Sequence, residues 1–411
     1  MLSDGFLDRL KSLPIALFAI DEAHCISEWG HDFRPDYRNL SSLKKEFPST
    51  PLIALTATAT PKVKNDIIRL LKLKKSKIFV SSFDRENLKL EVINKKQAFP
   101  KLVHLLDGYR GESVIIYCHS RKETEEIAAN LKMNNFNARA YHVGLEQGKR
   151  KLAQELFIKD KVDIIVATIA FGMGIDKPDV RLVVHYTFPK TLEGYYQEIG
   201  RAGRDGLDSK CVMFYTYADM RKHEFFINRI TDNSLAEVAR EKLSEVLNFC
   251  ELSTCRKIYL LKYFNEEMKD DCQACDICLT EKEKFDATTI TQKILSAIIR
   301  TDCRYGKNYI LEVLLGKNTQ KIKINQHNEL SVFGIVKDYD KDELSQILKQ
   351  LLDLDYIQKS EGQYPILSLS RKGAKFLRDN EQLELNKPSA DIADYQKPKK
   401  IPINQIGRAH V

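Results

Sequence analysis

The chain has 411 residues, of which 43% are hydrophobic and 30% charged, and a formal net charge of +8. Its length fits two to four domains, and its composition excludes a fibrous or disordered protein. No apolar run reaches the roughly 18 residues of a membrane-spanning helix, and the first residues carry no secretory signal pattern. The expectation is therefore a cytoplasmic protein. The positive charge favours a polyanionic partner such as nucleic acid. Four of the nine cysteines lie between Cys255 and Cys278. In a cytosolic chain that clustering points to a metal site before disulfides.

The first legible element is the apolar run Ile15-Ala16-Leu17-Phe18-Ala19-Ile20, a buried strand ending in Asp21-Glu22-Ala23-His24. Two carboxylates at the carboxyl end of a parallel strand suit an ATPase. Asp21 would hold Mg²⁺, which prefers hard oxygen ligands. Glu22 would orient and polarise the attacking water, and His24 would report nucleotide state to its neighbours. A second apolar strand, Leu52-Ile53-Ala54-Leu55, ends in Thr56-Ala57-Thr58-Ala59-Thr60. Small hydroxyl residues there can couple an ATP site to a neighbouring domain. Between the strands, Ser27 to Pro35 holds the only tryptophan, Trp29, with Phe33 and Arg34. Exposed aromatics beside a cation suit base stacking, at about 1–3 kcal/mol per base. The alternative is a buried Trp29 that anchors the loop. The glycine-rich phosphate loop that should precede the first strand is absent.

The strings DEAHCISEWGHDFRPDY and ALTATAT resemble the RecQ family of DNA helicases, within helicase superfamily 2. The stretch from Ser27 to Pro35 matches that family's aromatic-rich loop, which links single-strand DNA contact to ATP hydrolysis. Trp29, Phe33 and Arg34 are its implied DNA contacts.

Ser82-Phe83-Asp84-Arg85-Glu86-Asn87 reads as a junction between domains. Beyond it, candidate strands at Val114–Tyr117, Arg139–His142, Val162–Ala167, Leu182–Tyr186 and Cys211–Tyr215 alternate with helical stretches. This is the pattern of a mainly parallel sheet with helices on both faces. Ligands bind at the carboxyl ends of such strands, and the motifs fall there. Tyr117-Cys118-His119-Ser120-Arg121 follows the first, with Cys118 readable as a core residue. Ala167-Thr168 through Gly172-Met173-Gly174-Ile175-Asp176-Lys177 follows the third. Its glycines permit close backbone approach, with Thr168 and Asp176 placed for a phosphate or a coupling contact. Later comes Gln197-Glu198-Ile199-Gly200-Arg201-Ala202-Gly203-Arg204. Arg201 and Arg204 share one face if helical. The resemblance implies Arg204 as an arginine finger supported by Arg201, an effect worth roughly 10³–10⁵ in rate. It likewise implies nucleotide contacts at Gly174, Asp176 and Gln197, and DNA contacts at Ser120, Arg121 and Thr168. The stretch Gly144–Arg150 lacks the spacing of a phosphate loop and reads as a helix start.

Ser234-Leu235-Ala236-Glu237 reads as a capping box before an apolar helical stripe. Cys255 opens a second helical stretch, and Cys272, Cys275 and Cys278 follow at C-x₂-C spacing. Four thiolates suit a tetrahedral, structural Zn²⁺ site. The spacing leaves an iron–sulfur cluster open, and Cys250 is a rival fourth ligand. The resemblance favours zinc held by Cys255, Cys272, Cys275 and Cys278.

From Thr291 the pattern changes to short helices, with a stripe at Leu344, Ile347, Leu348, Leu351 and Leu352. Two strands, Tyr356–Lys359 and Ile366–Ser370, flank a turn that contains Tyr364. This resembles the RecQ winged helix, which engages duplex DNA. Tyr364 would press on a terminal base pair, or is a plain turn tyrosine. The tail from Glu381 is polar and reads as a linker without the helical HRDC domain often found in the family. Residues Ile406–Val411 match one frame of a sequencing adapter, and the expectation is a natural end near Gln405.

The expected architecture is α/β, with RecA-like motor domains on parallel sheets, the first partial, then a helical zinc module and a winged helix. The expected boundaries are 1–83, 84–220, 221–285, 286–380 and 381–411. The resemblance implies a monomeric, ATP-dependent 3′-to-5′ DNA helicase, with ATP, Mg²⁺ and Zn²⁺ as cofactors. It implies action on single-strand and duplex DNA in repair, recombination, replication and the SOS response, in the bacterial cytoplasm or nucleoid. Its protein partners would be single-strand DNA-binding protein and repair proteins, with no membrane. Without a phosphate loop these 411 residues are expected to be a fragment with negligible ATPase activity. The competing expectation is a non-catalytic DNA-binding or strand-annealing protein. An RNA helicase is disfavoured by the zinc module and the aromatic loop.

Overall fold

The computed structural model describes residues 4–169, 171, 176–280, 283–360, 365–379 and 381–388. Gly174 and Tyr364, both singled out above, lie outside them. The chain forms two compact units, Met1–Thr280 and Glu281–Val411. Among the described residues no helix is long and apolar enough to cross a membrane.

The first unit opens with α1 (Asp4–Lys11), β1 (Phe18–Ile20), α2 (Ser41–Glu46), β2 (Leu52–Ala54) and α3 (Pro61–Leu70). Strands β1 and β2 pair in parallel, Phe18 opposite Leu52 and Ile20 opposite Ala54. Helix α3 starts where Thr60 caps the Val63 N–H and Pro61 supplies a preset φ. Val63, Ile67 and Leu71 then cover one face of the pair, against Ile20 and Ile26. The opposite face shows Leu17, Ile53 and Leu55, all exposed. Parallel sheets normally have both faces covered, so the partial first sheet expected from the sequence is observed.

Next come β3 (Leu88–Asn94), α4 (Ala98–Asp107), β4 (Ser113–Tyr117), α5 (Arg121–Met133), β5 (Ala138–Tyr141) and α6 (Gln147–Ile158). They are followed by β6 (Ile164–Ala167), β7 (Val180–His185), α7 (Leu192–Ile199) and β8 (Ser209–Tyr215). The six strands form one sheet in the order β3-β8-β7-β4-β6-β5, every pairing parallel. Alternate residues serve two cores. Ile115, Ile165, Val183 and Met213 face α6 and α7. Val114, Ile164, Leu182 and Phe214 face α4 and α5. That double burial is why these strands read as continuous apolar runs. The five expected strands are present, with ends displaced by up to two residues. The edge strand β3 was not expected, because its Lys89 and Glu91 interrupt the apolar run.

The unit ends with α8 (Tyr217–Ile227), α9 (Asn233–Cys250), α10 (Arg256–Tyr263) and α11 (Asp276–Leu279). Helix α9 is capped by Asp232, whose carboxylate accepts from Ser234 N and Leu235 N. The capping box expected at Ser234–Glu237 is therefore corrected. Ser234 sits inside the first turn and donates its hydroxyl to Asp232. Ala236, Leu243, Val246 and Phe249 continue the first core down to the cysteines.

The second unit contains β9 (Lys284–Asp286), α12 (Thr288–Arg300), α13 (Lys307–Leu314), α14 (Gln320–Ile324) and α15 (Lys341–Asp353). It closes with β10 (Ile357–Lys359), β11 (Leu367–Leu369), α16 (Arg371–Asp379) and β12 (Glu384–Asn386). Asp340 and Glu343 form a capping box at α15. The expected stripe Leu344, Ile347, Leu348 and Leu351 packs on Ile294, Ile310 and Phe376. Strands β10 and β11 make an antiparallel hairpin after α15, the arrangement of a winged helix. The residues after Glu381, read as a linker, are corrected: β12 pairs antiparallel with β9 and buries Leu385.

Candidate nucleotide and zinc sites

Strand β1 ends at Ile20, so Asp21 and Glu22 stand at its carboxyl end. Asp21 is exposed, and its carboxylate accepts the Glu22 N–H at 2.8 Å. Glu22 holds φ 48° and ψ 43°, the left-handed region, where it starts the 3₁₀ turn Ala23–Ile26. A glutamate there is kept by its surroundings, as happens at functional sites. Burial and the Asp21 charge raise its pKa, and Arg201 and Arg34 pull it back.

His24 is buried, and burial pushes its pKa down to about 3, so it is neutral. Its Nδ1 lies 2.9 Å from the Thr56 hydroxyl in the loop after β2. Its ring stacks on His31 with centroids 4.2 Å apart. His31 Nε2 donates to Gln197 Oε1 at 3.2 Å, and Gln197 Nε2 donates to Glu22 Oε1 at 3.2 Å. One contact path thus runs Thr56, His24, His31, Gln197, Glu22. It crosses from the first segment to α7 and back, ending on the Glu22 carboxylate.

The aromatic loop turns back on His24 at Gly30. A Cβ there would sit 2.2 Å from the His24 carbonyl oxygen, so only glycine fits. Trp29 is half-buried, with the Lys62 ammonium 2.7 Å from its ring centre. Lys242 on α9 donates to the Trp29 carbonyl and pairs with Glu193 at 2.6 Å. Phe33 is half-buried with the Arg38 guanidinium 5.0 Å from its ring centre. Arg34 is exposed and donates to Asp32. The loop therefore pairs each aromatic with a cation and is anchored from the helical module.

Arg204 bonds Asp176 at 2.7 Å and the Gly200 carbonyl at 3.4 Å. The charge of Arg201 lowers the pKa of Glu22, and its side chain also bonds Tyr117. Ser120 caps α5 by accepting from Glu123 N, while Arg121 beside it is exposed. Thr168 is half-buried just after β6. The loop bearing both arginines is held by residues whose roles the sequence did not disclose. Arg85 donates to the carbonyls of Ala202 and Gly203, and Asn87 donates to Gly203 and Leu207. Gly203 has φ +54°, and a Cβ there would lie 2.4 Å from Asn87 Nδ2. Lys257 pairs with Asp84, and Glu266 accepts from Ser82 and Phe83 N. The junction segment thus ties the arginine loop to the cysteine module.

In that module the sulfurs of Cys255, Cys272, Cys275 and Cys278 lie within 4.8 Å of one another. A zinc ion with Zn–S bonds of about 2.3 Å separates its sulfurs by roughly 3.8 Å, so the four fit one tetrahedral ion. Cys250 points elsewhere, 3.4 Å from the Met213 sulfur in the core, and is not a fourth ligand. Asp276 receives a bidentate pair from Arg256 at 2.6 and 2.9 Å and accepts from Val92 N on β3. This part-buried fork fastens the cysteines to the edge strand, an outer-shell role that metal sites commonly need.

Four families match in chain order. They are DEAD/DEAH box helicase over 2–67, helicase conserved C-terminal domain over 94–206, RecQ zinc-binding over 217–279 and RQC domain over 281–393. The ATP-dependent DNA helicase RecQ of Pasteurella multocida (strain Pm70) is 40% identical over 411 residues, 99% of this chain and 65% of that protein. The chain belongs to the RecQ family. The RecQ of Bacillus subtilis (strain 168) is 40% identical over 92% of this chain and 64% of that protein. A relative from Acanthamoeba polyphaga mimivirus, named as an RNA helicase, is 37% identical over 88% of this chain and 69% of that protein. The chain thus spans just under two thirds of the two bacterial RecQ proteins. The RecQ zinc-binding match spans all four cysteines, so the cluster suits zinc rather than an iron–sulfur cluster.

Proposed function

We propose that these residues are the motor and DNA-handling part of an ATP-dependent DNA helicase that moves 3′ to 5′ on single-strand DNA. Its roles would lie in repair, recombination, replication and the SOS response, in the cytoplasm or nucleoid. It would work as a monomer that meets single-strand DNA-binding protein and repair proteins. The observation that carries the reading is the path from Thr56 through His24, His31 and Gln197 to Glu22. It gives a DNA-facing loop a physical line to the carboxylate that would orient water. In this reading Asp21 holds Mg²⁺, which when bound neutralises charge on the phosphates. Arg204 serves as the finger beside Arg201. Its ion pair with Asp176 is partly exposed and therefore weak, so the finger is released cheaply when nucleotide draws it in. Gln197, Asp176 and Gly174 would line the nucleotide. Trp29, Phe33, Arg34, Ser120, Arg121 and Thr168 would contact the single strand, and Tyr364 the duplex end.

A second reading is a DNA-binding or strand-annealing protein without catalysis. It is favoured by one observation: these 411 residues contain no G-x-x-x-x-G-K-[ST] segment. For the chain as it stands we expect negligible ATP hydrolysis, with or without single-strand DNA. DNA-stimulated hydrolysis that Glu22→Gln abolishes would contradict this. Binding of a 3′-tailed DNA duplex against the same duplex in RNA tests the substrate class. DNA should bind more tightly, and a preference for RNA would side with the viral relative's name.

A further inference from the structure

Helix α8 buries Asp219, His223 and Ile227 and turns its other side to solvent. That side should be charged and polar on an ordinary surface helix. Here it carries Tyr217, Phe225 and Phe226, which are 60%, 54% and 46% exposed. Along the row, Tyr217, Arg221, Phe225 and Arg229 recur every four residues. Positions four apart lie one above another on a helix, so aromatic and cation alternate up one exposed stripe. Arg229, just past the helix end, holds its guanidinium 4.0 Å from the Phe225 ring centre.

The stripe adjoins the carboxyl end of β4. The His119 ring lies 5.5 Å from Phe226 and 5.0 Å from His223, and Ser120 and Arg121 follow it directly. Burial, Lys190 and Lys222 lower the His119 pKa, against the opposing carboxylates Glu123 and Asp219. The surroundings are therefore aromatic, with lysines and carboxylates interleaved.

We propose that the α8 stripe is a stacking platform for single-strand DNA, continuous with the contacts assigned to Ser120 and Arg121. The proposal rests on the DNA-acting reading above. Single strands offer both things the stripe demands, free base faces for Tyr217, Phe225 and Phe226 and phosphates for Arg221 and Arg229. A duplex hides its base faces, and a bare apolar partner would leave two arginines unmatched. Tyr217 and Phe225 stand about 12 Å apart along the helix, which accommodates a short run of nucleotides.

The test uses the 411-residue chain and a fluorescein-labelled oligothymidylate, read by anisotropy. Replacing Phe225 and Phe226 together by leucine should weaken binding about tenfold or more. Replacing both by tyrosine should preserve it. Arg221→Gln and Arg229→Gln should each flatten the salt dependence by about 0.7 in the log–log slope. The leucine pair should leave that slope and the zinc content unchanged. If the leucine pair binds like the parent, or the tyrosine pair fails equally, the platform is refuted; the first result makes the stripe a protein-contact surface. If the parent chain itself ignores the oligonucleotide, the DNA-acting reading fails instead.

Discussion

His24 lies at the centre of the candidate site, and its chemistry follows from burial. Its unfolded pKa is near 6.5 and its folded value about 3, so unfolding takes up a proton between those values. Stability contributed by this histidine is therefore complete above about pH 6.5 and falls as pH drops toward 3. His223, lowered to about 4 by burial, acts in the same direction. Urea unfolding should show a lower midpoint at pH 5 than at pH 7.5, and His24→Gln should flatten that dependence. An equally steep dependence in the variant would show that His24 is not held neutral. The sequence named Asp21, Glu22 and His24 because a carboxylate pair after an apolar strand is a strong local signal. It did not single out His31 or Thr56 as His24's partners. Their role exists only once α7 and the β2 loop fold against β1.

The cysteine module shows what spacing conveys and what it omits. Three C-x₂-C positions and one upstream thiol were legible as four ligands, but the choice between Cys250 and Cys255 was not. Both close or open a helix, and only packing sends Cys250 into the core beside Met213. Cys275→Ser should therefore remove zinc and unfold the module, since structural zinc supplies about 10–16 kcal/mol in small peptides. Cys250→Ser should keep a full complement of zinc. Equal zinc loss in both, measured on purified chains, would contradict the assignment. Strand β3 escaped sequence reading for a similar reason. As an edge strand it carries Lys89 and Glu91 outward, and its pairing with β8 and with the cysteine loop is purely tertiary. The anchor Asp276 left one clue, a carboxylate set between two metal-binding thiols.

In the first unit, a two-stranded parallel sheet and a six-stranded parallel sheet share a single carboxylate-centred network. The zinc module grips both the aromatic loop, through Lys242, and the arginine loop, through the junction residues Arg85 and Asn87. In the proposed reading, these contacts would make the module part of the motor's coupling. Its most direct test supplies what the 411 residues lack. A segment carrying G-x-x-x-x-G-K-[ST] would be joined ahead of Met1, and unwinding would be measured on 3′-tailed DNA, 5′-tailed DNA and 3′-tailed RNA duplexes. The account predicts ATP-dependent unwinding of the 3′-tailed DNA alone, lost in both Glu22→Gln and Arg204→Ala. Unwinding of the RNA or the 5′-tailed substrate, or activity that survives either substitution, would contradict it.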